Sequence, residues 1–539
     1  MKTKCNPHNL ITLFVIVLIF IAQLSTAQPI WSKMNLGGQM VEDYDKGYLF
    51  ANDYLVKTDI NGNERYRVFL QPNSNDSQKI DLSCLVKAEN NSILAGGRKI
   101  LNSNSSLPFV SKFNACKEME WCRVFELPSH KLYCKEIISS SAGNYYCLLT
   151  TDTYYESEVY VVNIDEEGQI KWANRYCNTS TYDTIRYTHL LSDGINGVIL
   201  SGTTAFRLSV PDFGDYAQRP FWIKIDTAGT QIFDTIFNPN LPTTIFRSGT
   251  IHKGTNGVEG TMFYGGGSGF FDPVNDGFYK VNKNDFAIQW YPLSENSIFS
   301  IPDWQTKAIG QISDNELILA SDHQSNLEAN FLTLSIRDTT GNILRSYTDA
   351  LDIFETHHLL FASDNKILVS GTTVDGSIGG LANYVPKVQK FNIDFNGGEI
   401  DDNHYTYDSL CKQSIVTDTI TIPEDCSTLS IPDFENQSDV LPLKVFPNPA
   451  SEYVTIEIPE YSVTTTKGGY VTQQQFRPLN GEILLSVINL SGQIVKTEVF
   501  DASERNHVIN VNMLTPGLYM LHLNQKGKFV AQGKVMVVR

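Results

Sequence analysis

Residues 159–172 read VYVVNIDEEGQIKW, and the local pattern in this stretch decides the fold. A run rich in Val is followed by a four-residue turn from Asp165 to Gly168, and Trp172 lies in the run after the turn. Asp opens such turns by accepting a hydrogen bond from the backbone two residues on, and Gly supplies the positive φ that closes them. The stretch therefore predicts two antiparallel strands joined by a tight turn.

The same turn recurs along the chain at intervals of 51 to 61 residues. Five copies have the form Asp-x-x-Gly, and two are degenerate. The seven turns are Asp59–Gly62, Asn114–Lys117, Asp165–Gly168, Asp226–Gly229, Asn282–Asp285, Asp338–Gly341 and Asp394–Gly397. An aromatic residue follows seven or eight residues after five of the turns open, namely Tyr66, Trp121, Trp172, Phe233 and Trp290. This regularity predicts structural repeats.

Further short apolar runs precede the turns, which gives four strand-like runs per repeat and no helical periodicity between them. The pattern predicts an all-β fold in which residues 28–402 form a seven-bladed β-propeller. A row of separate β-sandwiches is the alternative, although repeats of about 56 residues are too small to hide two sheets. The repeat resembles loosely defined bacterial propeller repeats that have a Lys-x-Asp-x-x-Gly turn and a following Trp. This resemblance implies a propeller fold but does not indicate an activity.

The last repeat lacks an apolar fourth run, because residues 399–402 offer a single apolar side chain. Residues 29–34, near the other end of the chain, alternate apolar and polar and precede the first repeat. A sheet with an open edge would lose the contact between the first and last blades. We therefore predict that residues 29–34 pair beside residues 385–394 and complete the seventh blade.

The composition agrees with a folded β-rich protein and excludes one class of partner. Of the 539 residues, 42% are hydrophobic and 19% are charged, and Phe and Tyr are common. The formal net charge of −17 argues against nucleic acid, because phosphate binding needs clustered Lys and Arg.

Residues 1–27 have the features of an export signal. Lys2 and Lys4 precede an almost wholly apolar run from Leu10 to Leu24, and Ser25 and Ala27 are the small residues expected before a cleavage site. A retained membrane anchor is the alternative, but the run is shorter than the roughly 20 residues that a spanning helix takes. The sequence thus predicts an exported mature chain.

Eight cysteines follow the signal, and an even number in an exported chain predicts disulfides. No C-x-x-C spacing occurs, so neither a zinc site nor a dithiol redox motif is predicted. Residues 403–440 have the composition of a linker, and within it Cys411 and Cys426 bracket a strand-like run. We predict a disulfide between these two cysteines, with two unpaired buried thiols as the alternative.

Residues 441–539 carry a series of motifs in a fixed order. They begin with Pro-Asn-Pro, continue with a Ser-Gly-Gln hairpin and a Pro-Gly-x-Tyr turn, and end in a basic tail. The residues concerned are Pro447, Asn448, Pro449, Gly492, Gly517, Tyr519, Lys534 and Arg539. The segment resembles the type A C-terminal sorting domain of the type IX secretion system of Bacteroidetes. Its polar stretch at 461–479 is longer than the family usually carries and is interpreted as an extended hairpin loop.

That resemblance implies a route and a set of partners. Such domains are small Ig-like sandwiches that carry cargo from the periplasm across the outer membrane, through the type IX secretion machinery. A sortase commonly removes them and attaches the cargo to surface lipopolysaccharide. The expected location is therefore the cell surface or the medium. An ordinary Ig-like adhesive module is the alternative.

The connections between the second and third strands of the repeats vary most in length, and the longest covers residues 203–219. Variable loops on a rigid scaffold are frequent binding sites. We therefore predict that this loop contacts a glycan or protein ligand, although a tolerated surface insertion is the alternative. The residues expected to do so are Asp212, Phe213, Asp215, Tyr216 and Arg219.

No motif for catalysis, a metal or a cofactor is found, so no catalytic residue, metal ligand or cofactor is predicted. His357 and His358 are adjacent, and neighbours on a strand point to opposite faces. Two functions are weighed: a secreted or surface-attached binding or adhesive protein, and an exported hydrolase or lyase acting on polysaccharide or protein. Convergence of three or more carboxylates or histidines at one mouth of the central channel would favour the enzyme.

Overall fold

The computed structural model describes most of the chain after the signal. The described residues are 29–72, 79–102, 105–127, 131–140, 143–151, 158–176, 184–193, 197–207, 216–236, 245–254, 257–265, 276–281, 288–292, 304–313, 315–324, 330–378, 381–422, 426–430, 441–458, 460–467, 470–478, 481–489, 494–501, 505–525 and 528–539. The predicted signal at 1–27 lies outside them. Within these ranges the regular structure is β-strand apart from a 3₁₀ turn at Glu89–Asn91, and no helix could span a membrane.

The described strands as far as Asn392 form seven units of antiparallel strands, after a first strand β1 (Trp31–Met34). The first unit contains β2 (Gln39–Glu42), β3 (Tyr48–Asn52), β4 (Tyr54–Thr58) and β5 (Glu64–Pro72). The second contains β6 (Lys79–Lys87), β7 (Ile93–Asn102), β8 (Ser105–Phe113) and β9 (Met119–Glu126). The third contains β10 (Leu132–Ser139), β11 (Tyr145–Thr151), β12 (Val159–Ile164) and β13 (Ile170–Arg175).

The remaining units repeat this order. The fourth contains β14 (Thr184–Ser192), β15 (Val198–Arg207), β16 (Tyr216–Ile225) and β17 (Gln231–Ile236). The fifth contains β18 (Ile245–Gly254), β19 (Gly257–Gly265), β20 (Asp276–Val281) and β21 (Ile288–Pro292). The sixth contains β22 (Trp304–Ser313), β23 (Glu316–Gln324), β24 (Asn330–Asp338) and the first part of β25 (Ile343–Phe361). The seventh contains the second part of β25, then β26 (Lys366–Ile378) and β27 (Leu381–Asn392).

The first strands of the units lie around a common centre. Each first strand contacts the first strand of the next unit, from β2 through β6, β10, β14, β18 and β22 to β25, and β25 contacts β2. Four-stranded sheets in this arrangement are consistent with the blades of a β-propeller. The all-β prediction is confirmed.

The seventh unit is completed by the N-terminal strand. β1 pairs antiparallel with β27, with Trp31 opposite Lys390 and Met34 opposite Lys387. Trp31 is 7% exposed and packs with apolar residues of both the first and the seventh unit. The predicted pairing of residues 29–34 beside residues 385–394 is therefore confirmed.

Most of the predicted turns join the third and fourth strands of a unit, as expected. Gly62, Gly168, Gly229 and Gly341 each donate a backbone hydrogen bond to the opening Asp carbonyl and have positive φ. Their structure follows from the Asp and Gly chemistry of the sequence.

The seventh turn differs from its predicted position. Phe395, at a φ of 59°, donates its backbone hydrogen bond to Asn392, so the turn is Asn392–Phe395. The predicted turn Asp394–Gly397 was placed two residues too late, because Asn392 and Asp394 can both open a turn.

Neighbouring units meet through what we call the tryptophan–turn contact. In it, a tryptophan on the outermost strand of one unit lies against the third-to-fourth-strand turn of the next unit. Trp121 Nε1 donates a hydrogen bond to the Glu166 carbonyl at 2.9 Å, and a Cβ on Gly168 would lie 2.9 Å from the indole. This position thus requires glycine for two reasons: its backbone has a positive φ, and a side chain there would clash with the indole ring of Trp121.

The same contact occurs at two further junctions. Trp172 Nε1 donates to the carbonyl of Thr227 at 2.8 Å, beside Gly229. Trp31 Nε1 donates to the carbonyl of Ile60 at 3.3 Å, beside Gly62. The closing junction between the seventh and first units is therefore built like the internal ones.

The described part of the predicted linker, residues 403–422 and 426–430, lies along the outer edges of the first two units. β28 (Asp418–Ile422) pairs parallel with β5, and β29 (Ser427–Ser430) pairs parallel with β9. Both edge strands are thereby covered, which removes free edges that could pair with another chain. We call residues 403–422 and 426–430 the strap.

Two disulfides tie the strap to the second unit. Cys116 bonds to Cys411, and Cys122 bonds to Cys426. The predicted pairing of Cys411 with Cys426 is therefore wrong. Because the strap runs along neighbouring sheets, each of its cysteines meets a partner about 300 residues away in sequence rather than the other one.

A buried ionic cluster lies where the strap meets the first two units. Lys57 Nζ is 2.5 Å from Asp43 and 2.6 Å from Asp45, and Lys117 Nζ is 3.0 Å from Asp43. Burial alone would raise the pKa of Asp43, but the two lysines outweigh it and lower that pKa. The strap joins the cluster through the backbone N–H of Asp408, which donates to Asp45 at 2.9 Å.

Residues after 440 form separate sheets. The strands are β30 (Leu441–Pro442), β31 (Lys444–Phe446), β32 (Tyr453–Glu457), β33 (Glu460–Lys467), β34 (Tyr470–Pro478), β35 (Glu482–Asn489), β36 (Ile494–Asp501), β37 (Asn506–Asn510), β38 (Gly517–Gln525) and β39 (Lys528–Val537). A five-stranded sheet, β30-β39-β38-β35-β36, and a three-stranded sheet, β31-β32-β37, share one apolar core. β33 and β34 pair as a hairpin, so the hairpin predicted at 461–479 is confirmed.

Replacing Trp31 with Ala should lower the free energy of unfolding of the mature protein by about 3–5 kcal/mol, the usual cost of removing a buried Trp side chain. Urea unfolding measures this cost. Met34→Ala is the matched control, because Met34 lies on the same strand but is 42% exposed. Equal, small effects of both substitutions would contradict the closing role of Trp31.

The disulfide pairing can be read from a tryptic digest, because the four cysteines fall in four peptides. We expect peptide 113–117 linked to 391–412, and peptide 118–123 linked to 413–444. Cys116→Ser should lower the free energy of unfolding by about 2–5 kcal/mol. A link between peptides 391–412 and 413–444 would show the pairing described above to be incorrect.

Candidate functional site

A cavity of about 310 Å³ opens against the first strands of the first four units. It is lined by Gln39, Val41, Leu85, Val86, Glu136, Ile137, Ile138, Ser139, Leu190, Leu191 and Ser192. These residues belong to β2, β6, β10 and β14, near the ends of the strands that lead into the first turn of each unit. We call it the central cavity.

Strand order fixes the side of the ring on which the central cavity lies. In an antiparallel unit, the first-to-second-strand turn and the third-to-fourth-strand turn lie on the same face. The central cavity therefore lies toward the face of the Asp-x-x-Gly turns. The connections between second and third strands belong to the opposite face. In the fourth unit, residues 203–207 and 216–219 of the predicted loop are strand, because β15 runs to Arg207 and β16 begins at Tyr216, and residues 208–215 lie outside the described residues.

Glu136 brings a carboxylate to this mostly apolar wall. Its Oε2 accepts a hydrogen bond from the backbone N–H of Leu190 at 2.9 Å and lies 3.5 Å from His189 Nδ1. The side chains of Glu136 and His189 are 20% and 24% exposed, and Glu136 lines the cavity. The arrangement can bind a donor group, or exchange a proton when His189 takes part.

Gln39 occupies the position in the first unit that Glu136 occupies in the third, and it shows that the inter-strand hydrogen bond made there does not need a carboxylate. Its Oε1 accepts a hydrogen bond from the backbone N–H of Leu85 at 2.8 Å, just as Glu136 accepts one from Leu190. Both side chains bridge the first strand of one unit to that of the next. An amide therefore suffices for the bridge, and the negative charge of Glu136 exceeds the structural need.

A second histidine lies in the same region. Burial, with His357 and His189 nearby, lowers the pKa of His358 to about 3, so its imidazole is neutral near pH 7. No group of three or more His, Cys, Asp or Glu in the described residues has the geometry to hold a metal ion.

The polar residues of the centre occupy equivalent positions, which the sequence analysis missed. Five first turns open at Asp43, Ala88, Ser140, Asp193 and Ala362, as their backbone hydrogen bonds show. Four residues before them stand Gln39, Cys84, Glu136, His189 and His358. Aligning the repeats on the first turn, instead of on Asp-x-x-Gly, would have revealed this series.

The loop residues predicted to bind ligand cannot be placed. Asp212, Phe213 and Asp215 lie outside the described residues. Tyr216 and Arg219 lie on β16. Their side chains lie outside the described part of the structure. Their role in binding stays a prediction.

In the C-terminal region, the Pro-Asn-Pro motif contacts the last strand, β39. The side chain of Asn448 donates to the carbonyl of Lys534 at 3.0 Å and accepts from the N–H of Met536 at 2.9 Å, so the Pro-Asn-Pro segment is held on the last strand. Pro447 and Pro449 flank it, and each follows a cis peptide bond.

Tyr519 and Arg539 stabilise the turn before β38 and the C-terminal end of the chain through hydrogen bonds to backbone carbonyls. Tyr519 donates its hydroxyl hydrogen bond to the carbonyl of Thr515 at 2.8 Å, and Gly517 begins β38 between them. Arg539 donates to the carbonyls of Asn512 and Leu514, both at 3.4 Å. Gly492 lies outside the described residues.

Comparison with protein families identifies this region. Residues 444–538 match the family described as a secretion system C-terminal sorting domain. The predicted sorting domain is thereby confirmed, and it implies contact with the type IX secretion machinery. The protein is exported by that system, across the outer membrane to the surface or the medium, with a β-rich cargo domain.

The rest of the chain has weaker likenesses. Comparison with curated proteins finds no match. A protein of unknown function from Bacteroides caccae is 11% identical over 47% of this chain and 78% of its own, with a TM-score of 0.28. One from Dyadobacter fermentans is 11% identical over 60% and 98%, with a TM-score of 0.36. A polysaccharide lyase is 9% identical over 67% and 90%, with a TM-score of 0.39. Scores this low carry no argument about function.

Deleting residues 441–539 should leave the mature protein in the periplasm, because the signal for crossing the outer membrane is lost. Cell fractionation and surface proteolysis measure the location, with the full chain as control. The truncated protein should keep the urea midpoint of its cargo part, since the sorting domain has its own core. Truncated protein at the cell surface would contradict the assignment.

Proposed function

We propose that this protein is an exported binding protein whose cargo domain, residues 28–402, is a seven-bladed β-propeller. The ring of first-strand contacts and the N-terminal strand in the seventh unit support that fold. We further propose that residues 441–539 form a type A, Ig-like sandwich, which the two sheets around a single apolar core support. Release by a sortase and attachment to surface lipopolysaccharide belong to the same proposal.

The central cavity is the proposed binding site, and Glu136 is the observation that carries it. The cavity wall is apolar except for a few polar groups, which is the usual composition of a ligand pocket. Glu136 keeps a charge that its bridging role does not need, as the amide of Gln39 shows. A carboxylate in apolar surroundings favours a ligand with a cationic or hydroxyl donor, such as a sugar or a basic side chain of a protein.

The loop at 203–219 is proposed as a second contact surface on the opposite face. Its residues Asp212, Phe213, Asp215, Tyr216 and Arg219 combine charge with aromatic rings. Such composition suits a glycan or a protein surface. This surface and the central cavity are independent proposals, because they share no residue.

A hydrolase or lyase is the second candidate function. Glu136 and His189 lie 3.5 Å apart, and a carboxylate beside an imidazole can act as an acid–base pair. His358 adds a neutral imidazole in the same region. The interaction of His189 with both Glu136 and His358 supports this second candidate.

One experiment tests both candidates. The mature protein and its Glu136→Gln variant are applied to a glycan array and to peptide sets rich in Lys and Arg, and products of cleavage are followed by mass spectrometry. Because Gln keeps the hydrogen bond from Leu190, the variant should stay folded while affinity falls about tenfold to a hundredfold, the worth of a charged hydrogen bond.

The matched control is Glu64→Gln, on the outermost strand of the first unit, where the carboxylate pairs with Arg67 on the surface. It should leave binding unchanged. Unchanged binding in Glu136→Gln would contradict the central cavity as the site. Cleavage by the wild type that Glu136→Gln abolishes would favour the enzyme over the binding protein.

A further inference from the structure

Three cysteines of the described residues take no part in the two disulfides. Cys84 lies on β6, Cys134 on β10 and Cys147 on β11, and all three are completely buried. Buried thiols are unexpected in an exported protein that forms disulfides elsewhere, because the compartments it crosses are oxidising. Their positions call for a chemical explanation.

Two of these thiols meet across the junction between the second and third units. Cys84 Sγ lies 3.8 Å from Cys134 Sγ. Gly96, opposite Cys84 on β7, makes the room: a Cβ there would lie 2.7 Å from Cys84 Sγ and 2.8 Å from Cys134 Sγ. The two sulfurs are therefore in direct contact across the junction.

Cys147 is the competing partner for Cys134, and strand register disfavours it. On the paired strands, Cys134 is opposite Leu149, and Cys147 is opposite Ile137. A disulfide needs Cβ atoms about 3.5–4.5 Å apart, which directly opposite residues provide. Cys134 and Cys147 are thus diagonal neighbours beside a β-bulge, and because their thiols interact, Cys147 is the alternative partner that the test must exclude.

We propose that Cys84 and Cys134 form a third disulfide in the mature protein, which links the first strands of the second and third units. The oxidant is the disulfide of a thiol–disulfide exchange protein in the export compartment. The Cys84 thiolate attacks that disulfide, and the Cys134 thiolate then attacks the sulfur of Cys84 and releases the exchange protein. Two thiols of this chain lose two electrons and two protons, and the exchange protein gains them as two thiols.

Burial dictates when this bond forms. Both sulfurs are inaccessible in the folded units, and burial raises the pKa of Cys134, so its reactive thiolate form is suppressed there. The bond therefore forms while the second and third units are still packing. Once formed, it holds β6 against β10 beside Leu85 and Glu136, which line the central cavity.

A tryptic map of the mature protein tests the proposal, because trypsin places the three cysteines in separate peptides. Cys84 falls in 80–87, Cys134 in 132–135 and Cys147 in 136–171. Protein purified after export is denatured in the presence of an alkylating reagent and digested without reduction. We expect a linked species of peptides 80–87 and 132–135, which reduction separates, and an alkylated Cys147.

Variants check the assignment. Cys147→Ser should leave the link intact, and Cys84→Ser should abolish it and leave Cys134 alkylated. Peptides 80–87 and 132–135 recovered separately and alkylated from the wild type would overturn the proposal. So would a link from either peptide to 136–171. Because the decisive map uses wild-type protein, a variant that fails to fold leaves the test intact.

Discussion

The tryptophan–turn contact is the interaction on which the arrangement of the units depends. An indole N–H on one unit donates to a turn carbonyl of the next, and the ring occupies the space left by a glycine that the turn also needs for its positive φ. Each contact thus fixes the distance and the orientation of two sheets at once. At the closing junction the tryptophan is Trp31, which comes from the N-terminal strand, so the same interaction joins the two ends of the ring.

The junction between the first and second units uses other chemistry. Between the first and second units the aromatic residue is Tyr66 and the glycine position is Lys117, with the buried ionic cluster and the strap alongside. Charges buried this deeply must be paired, as these are with one another, and the strap adds the backbone hydrogen bond from Asp408 to Asp45. Two disulfides then hold the strap in place. The strap thus belongs structurally to the cargo domain rather than to a linker before the sorting domain.

The sequence predicted the features that depend on local chemistry and missed those that depend on distant partners. Asp and Gly identify the turns directly. The alternation of apolar and polar residues around Trp31 identifies a strand that has no pairing partner nearby in the sequence. The seventh turn was misplaced because Asn392 and Asp394 offer the same local chemistry. The partners of Cys411 and Cys426 lie about 300 residues away, where spacing gives no guidance. Glu136 and His189 come together only because consecutive first strands lie side by side, which no single repeat reveals.

Hydrogen exchange at the N-terminal strand tests most directly whether the ring is closed in this way. Mass spectrometry of the mature protein follows deuterium uptake in peptides that cover β1 and β27. If β1 completes the seventh unit, the amides of residues 31–34 exchange as slowly as those of residues 387–390, their partners in the sheet. Exchange of residues 31–34 at the rate of an unstructured peptide, with β27 still protected, would contradict the account.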